Sequence, residues 1–268
     1  MRNDYSPEHR AYLRRIKIRQ AVIRAAQVLL LVGIFALWEI AARQGWINAF
    51  IFSHPSRIWA AATRLAGQGE LWKHLGWTVG ETVIGFTLGT LLGIIIAVIL
   101  WWSDFVSRVL DPYIVVLESI PKVALGPIFV VWLGTTITAV VAMTISVSVI
   151  VTIMMMHNGF KEVDPNKIML ARTFGATKGQ ILTKVIIPAS VPTMIAALKV
   201  NVGLSLVGTI VGEFLASKAG LGYLIIYGGQ VFNMSLVMAS VLLLAVVSVI
   251  LYFLVAKLEE RVVRGRDH

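Results

Sequence analysis

None of the 268 residues is cysteine, which rules out disulfides, thiolate metal sites and a cysteine nucleophile. Charge is scarce as well. Asp, Glu, Lys and Arg make up 14% of the chain, against about 25% in a soluble globular protein, so there is too little polar surface to cover a water-exposed globule. No G-x-x-x-x-G-K-[ST] run occurs, so this chain has no loop of that type to cradle a nucleotide phosphate. The five histidines, His9, His54, His74, His157 and His268, are scattered and form no Cys/His/Asp/Glu cluster at metal-ligand spacing. His157, after "MMM", reads as an interfacial residue rather than a ligand. No internal repeat and no low-complexity segment is visible. The N-terminus does not read as a signal peptide, because a polar stretch precedes the first apolar run and no small-residue cleavage site follows it.

Apolar sequence is abundant. Hydrophobic residues make up 57% of the chain and the mean hydropathy is +0.82. Several uncharged runs reach the roughly 20 residues that a helix needs to cross a bilayer. The first apolar run, Ala25 to Ala42, contains only Glu39 near its far end and has Trp38 and Trp46 as interfacial anchors, and the second, Val83 to Trp102, is uncharged. Between them, Ser53 to Trp72 is too polar to span and is expected in the interface. Residues 123–160 carry no charge and are too long for one helix, so "GTTIT" at 134–138 is read as a turn between helices at about 112–133 and 137–158. A fifth span is expected at about 185–212 and a sixth at about 234–256.

Six spans put both termini on one side of the membrane. Seventeen Lys and Arg fall on that side and five on the other, and Lys122 and Lys199 lie inside spans. By the positive-inside rule the termini are cytoplasmic. The expected organisation is a cytoplasmic basic segment at 1–24, a membrane domain at 25–258 and a cytoplasmic tail at 259–268. The net charge of +10 is explained by this orientation, because no basic face interleaved with aromatics suggests nucleic acid.

The loop at about 163–184 has its own order. Asp164 and Pro165 suit a helix start, Gly175 suits a helix stop, and "GATKGQILTKVIIP" restarts a helix. Pro188 and Pro192 follow where neighbouring helices can satisfy freed carbonyls. A solvated amphipathic connector would account for this much.

The stretch "MLARTFGATKGQILTKVIIPASVP", residues 169 to 192, is more specific, because it resembles the cytoplasmic coupling motif of ATP-binding-cassette (ABC) importer permeases: E-A-A, three residues, G, then I and L-P. "ESIPKVALGPIFVVWLG" at 118–134 is similar to that family's Pro-rich third helix, and "VGEFLASKAGLGYLI" at 211–225 to its segment after helix five. Met169 and Leu170 stand where the family often has Glu and Ala. The resemblance points to the nitrate, sulfonate and taurine importers. It implies an all-α polytopic membrane protein of six transmembrane helices, the type I ABC importer permease fold.

The resemblance also implies a transport subunit rather than an enzyme. Two ABC ATPase subunits holding ATP and Mg, an extracytoplasmic solute-binding protein and a second copy of the chain would complete a transporter in the bacterial inner membrane, with no cofactor in this chain. Ile168, Met169, Leu170, Ala171, Arg172, Phe174, Gly175 and Ala176 would meet the ATPase, with Met169, Leu170 and Phe174 as the apolar knob. The implied cargo is a small anion such as nitrate, taurine or another sulfonate. The alternative is a heterocycle such as a thiamine-precursor pyrimidine or riboflavin.

Ionisable groups inside spans cost roughly 2.5 to 3.5 kcal/mol on insertion scales, so each needs a partner or a wet pathway. Glu118 and Lys122, four apart, either neutralise each other or line the pathway. Lys199 has no acid within four residues on its helix and looks to another helix or to water. Asn201, Ser205 and Thr209 form a polar stripe that is either interhelical glue or pathway lining, and the face of Lys199, Gly203, Leu206 and Ile210 is expected to pack tightly. The glycine density from Glu213 through Gly220 and Gly222 to Gly229 suits a re-entrant or hinged turn, which by resemblance forms an outer gate. An ion-gradient transporter would instead show inverted repeats and paired acids at mid-membrane, and only Glu81 and Glu118 lie within or near spans.

Overall fold

The computed structural model describes residues 7–264, with side chains from Tyr12 to Lys257, so the ends of the expected basic segment and tail, and the side chains of His9 and His268, lie outside the described residues. The described chain is helical throughout. In order come α1 (Pro7–Arg43), α2 (Ala49–Phe52), α3 (Pro55–Gly67), α4 (Glu70–Trp102), α5 (Asp104–Ser119), a 3-10 turn (Lys122–Leu125), α6 (Gly126–Leu133) and α7 (Ile137–Lys161). Then follow α8 (Pro165–Thr173), α9 (Lys178–Ile181), a π turn (Leu182–Ile186), α10 (Ile187–Ala216), α11 (Leu221–Gln230) and α12 (Met234–Arg264). Among the described residues, five helical stretches are long and apolar enough to cross a membrane, and a bent pair makes six when counted as one span.

The chain divides at Ala61 into two compact units. In the first, α1 starts well before the apolar run expected from Ala25, because Arg14, Arg15, Lys17 and Arg19 are good helix formers that extend the helix into polar sequence. At its other end Glu39 accepts from Arg43 Nε at 2.7 Å and from the Ser56 backbone N–H at 3.0 Å.

The second unit holds a core of α4, α7 and α10. Gly85, Gly89 and Gly93 recur every fourth residue on α4, which gives one smooth stripe facing Thr144, Ser148 and Thr152 on α7. A Cβ on these glycines would come within 2.4, 2.2 and 2.5 Å of those side chains. On α10, Gly208 and Gly212 bring the helix onto the α7 backbone, where a Cβ would lie 2.7 Å from Thr144 Cα and 2.8 Å from Val140 Cα. Close approach of this kind replaces the hydrophobic drive that lipid surroundings remove. Of the α10 face expected to pack tightly, Leu206 and Ile210 do pack, in a cluster with Leu221, Leu224 and Leu244, but Gly203 is exposed and a Cβ there would meet nothing within 4 Å.

The third span, expected at about 112–133, falls in a pair of helical segments, Asp104–Ser119 and Lys122–Leu133, bent by 89°. Ile120 is extended (ψ 129°) because it precedes Pro121, whose ring disfavours a helical residue before it. Likewise α4 begins 13 residues before the expected Val83, and α10 continues to Ala216. His157, near the end of α7, is buried in the bundle, and its Nε2 meets Ser107 Oγ at 3.0 Å.

Candidate functional site

The loop after α7 is built by local chemistry. Asp164 caps α8 by accepting from the Asn166 N–H at 2.9 Å, and Pro165 fills the first helical position, where no N–H is needed. At the other end Gly175 takes φ +78°, and the chain closes with bonds from Gly175 N–H to Arg172 O (2.9 Å) and from Ala176 N–H to Ala171 O (3.0 Å). Thr177 then opens α9 with a capping box: its Oγ1 accepts from Gln180 N–H, and Gln180 Oε1 accepts from Thr177 N–H. The π turn follows, directly ahead of Pro188, which has no N–H to donate, and Ile187 N–H reaches back to Leu182 O.

This local order gives α8 two faces. Met169, Leu170 and Phe174 are 68%, 59% and 83% exposed and form a bare apolar knob on a loop outside the spans. Ile168, Ala171 and Ala176 point the other way and pack against the buried cluster of Met156, Phe160, Val163 and Ile181. Of the eight residues expected to meet a partner, these three are partly buried against the bundle, because a nine-residue helix lying on a bundle must turn one stripe inward. Arg172 and Gly175 are exposed.

The candidate pathway residues separate into two groups. Asn201, Ser205 and Thr209 have no exposure. Asn201 Nδ2 donates to Thr152 Oγ1 at 2.5 Å and to Thr90 Oγ1 at 3.3 Å, and Thr209 Oγ1 meets Thr82 Oγ1 at 3.1 Å and Thr144 Oγ1 at 3.0 Å. Asn201 and Thr209 thus join α10 to α4 and α7, while the buried Ser205 Oγ between them has no hydrogen-bond partner among the described residues. Glu118 and Lys122 form their pair across the bend at 3.1 Å, and Lys122 also donates to the Glu118 carbonyl. Lys199 is half-buried on α10.

At the far end of α4 the glycine-rich segment is held by side chains that the sequence reading did not connect with it. The first turn of α11 has N–H groups without helical partners. Gly220 N–H donates to His74 Nδ1 (2.9 Å), Leu221 N–H to Thr78 Oγ1 (2.7 Å) and Gly222 N–H to Glu213 Oε2 (2.6 Å). Thr78 Oγ1 in turn donates to Glu213 Oε1 at 2.6 Å. Glycine is required at 220, where φ is +111° and a Cβ would fall 2.3 Å from the Glu213 carboxyl. Glu81, 2% exposed, lies near Glu213, and both of its carboxyl oxygens are buried without a hydrogen-bond partner among the described residues. The hint in the sequence was the i,i+4 spacing of His74, Thr78 and Thr82 on one face of α4.

A polytopic helical bundle with a broken third span, a capped loop carrying an apolar knob and a clamped glycine turn at the opposite end defines the permease class of membrane transport proteins. The chain belongs to the family of binding-protein-dependent transport system inner membrane components, which matches residues 89–264. It is 32% identical over 233 residues to a probable ABC transporter permease protein of Haemophilus influenzae, covering 86% of this chain and 94% of that one. It is 27% identical over 240 residues to the putative aliphatic sulfonates transport permease protein SsuC of Bacillus subtilis, covering 90% and 87%. Among solved structures, a bacterial ABC transporter involved in the import of the acidic polysaccharide alginate shares the fold, with TM-score 0.65, 15% identity and 96% of this chain covered against 99% of that one. The protein is therefore a multi-pass inner-membrane permease of an ABC importer.

Proposed function

We propose that two separate ATPase subunits dock on the 163–184 loop from the cytoplasm, that a second copy of the chain completes the pathway, and that an extracytoplasmic solute-binding protein delivers a small anion of the nitrate or sulfonate and taurine type. The observation that carries the docking is the knob of Met169, Leu170 and Phe174, held proud of the bundle by a helix anchored on its other face. Such a rigid apolar projection suits insertion into a partner's groove. ATP and Mg would reside in that partner, because this chain has no phosphate-binding loop. The concentration of Lys and Arg on the loop side supports cytoplasmic termini. Glu118, Lys122 and Lys199 remain the ionisable candidates for the pathway, and the α11 turn with Glu213, Gly220 and Gly222 the candidate for its outer gate. The anion rests on the sulfonate relative.

Cysteine introduced at Thr177 tests the orientation without background, because the chain has none of its own. An impermeant thiol reagent is expected to label it in inside-out vesicles only, and labelling from outside intact cells would reverse the topology and remove the docking. A heterocycle identified on the binding protein would replace the anion.

A further inference from the structure

Two connections run from the loop into the membrane helices. One is the chain itself, which reaches α10 through the π turn at Leu182–Ile186 and past Pro188 and Pro192, where the hydrogen-bond ladder is interrupted. π turns of this kind interrupt the regular α-helical hydrogen-bond ladder and are frequent at functional sites. The other connection is a side chain. Lys178 Nζ donates to the backbone carbonyl of Trp102 at 2.5 Å, 76 residues away in sequence, and lies 5.8 Å and 5.6 Å from the ring centroids of Trp101 and Trp102. The acceptor is the last residue of α4, where a cation also meets the negative end of the helix dipole. The loop's own folding does not need this contact, since its turns are closed by Asp164, Gly175 and the Thr177–Gln180 box.

We propose that Lys178 is a positioning residue that ties the loop to α4, so that displacement of the loop enters the membrane through α4 as well as through α10; this rests on the loop being the ATPase-docking element. α4 is suited to carry such a displacement. It is one helix of 33 residues without proline, seated on α7 by the glycine stripe. From Trp102 to Thr78 it runs about 36 Å at 1.5 Å per residue. At that far end His74 and Thr78 hold the first turn of α11. A pull on Trp102 therefore arrives at the bonds that hold the turn, whereas a pull along the chain must first pass the π turn. Three attractions converge on one ammonium group, the carbonyl and two ring faces, and they depend on its charge.

The test uses the complex with its ATPase subunits in proteoliposomes. An environment-sensitive fluorophore is placed on a single cysteine at Trp72, exposed at the far end of α4, or at Val200, exposed on α10. With Lys178 present, ATP and vanadate are expected to change the signal at both sites. In Lys178→Met, which keeps an apolar stem and removes the charge, the Trp72-site response should fall by about 5-fold or more while the Val200-site response persists. Lys178→Arg should restore it. An unchanged Trp72-site response in Lys178→Met overturns the proposal, and so does an equal loss at both sites, which would mark a general structural defect. Cross-linking from a cysteine at Phe174 to the ATPase separately reports docking. If it fails in the parent complex, the docking reading falls and takes this proposal with it. If it succeeds while the parent shows no Trp72-site response, this proposal alone falls.

Discussion

Replacing Gly208 with alanine puts a methyl carbon 2.7 Å from Thr144 Cα, 3.3 Å from Met143 O and 3.4 Å from Thr144 N. Ordinary contact begins near 3.4 Å, so α10 and α7 must part by several tenths of an ångström. All three neighbours are backbone atoms, and no rotamer change can relieve the clash. The helices are also tied at Thr209–Thr144 and Asn201–Thr152, so parting them strains bonds on either side. Overpacking of this kind costs about 1–3 kcal/mol. Alanine also gains roughly 0.5–1 kcal/mol of helix propensity over glycine, which would blur the result if one variant were measured alone. Gly203→Ala on the same helix supplies the control, because a Cβ there meets nothing within 4 Å. The propensity gain is common to both variants, and their difference isolates the steric term. At about 2–4 °C per kcal/mol for a chain of 150–250 residues, Gly208→Ala should melt roughly 2–12 °C below Gly203→Ala in thermal unfolding of the detergent-purified protein. Equal midpoints, or a higher one for Gly208→Ala, would refute the close approach of α10 and α7.

A double-mutant cycle between Asn201→Ala and Thr152→Ala should give a coupling of about 0.6 to 2 kcal/mol in the same assay, the range found for hydrogen bonds between membrane helices, whereas additive effects would mean that the 2.5 Å contact contributes nothing. Gly175→Val should leave membrane expression and ATPase co-purification near parental levels and lower substrate uptake. Its φ of +78° adds about 1–3 kcal/mol of strain to a β-branched residue, while open space around the Cβ leaves the bundle undisturbed. Parental uptake with normal assembly would show that the turn transmits no force.

What the sequence determined alone was whatever depends on neighbours along the chain. Hydropathy over windows of about 20 residues identified a polytopic membrane protein, and the helix, stop and restart of the 163–184 loop were legible because caps act within one turn. The i,i+4 spacing of Glu118 and Lys122 suggested their pair, although the structure closes it across the bend at Ile120 and Pro121 rather than along one helical turn. The tertiary structure decided everything that depends on which helix faces which. Ile168 and Met169 are adjacent in sequence, yet one is anchored against the bundle and the other is bare. Gly203 and Gly208 share a helix, but only Gly208 touches another backbone. Periodicity announced the Asn201 stripe without naming its partners, and Thr78 could not be matched with Glu213 across 135 residues by any local rule. A side chain's spacing states which neighbours share its face, and only packing between distant segments supplies the atoms opposite.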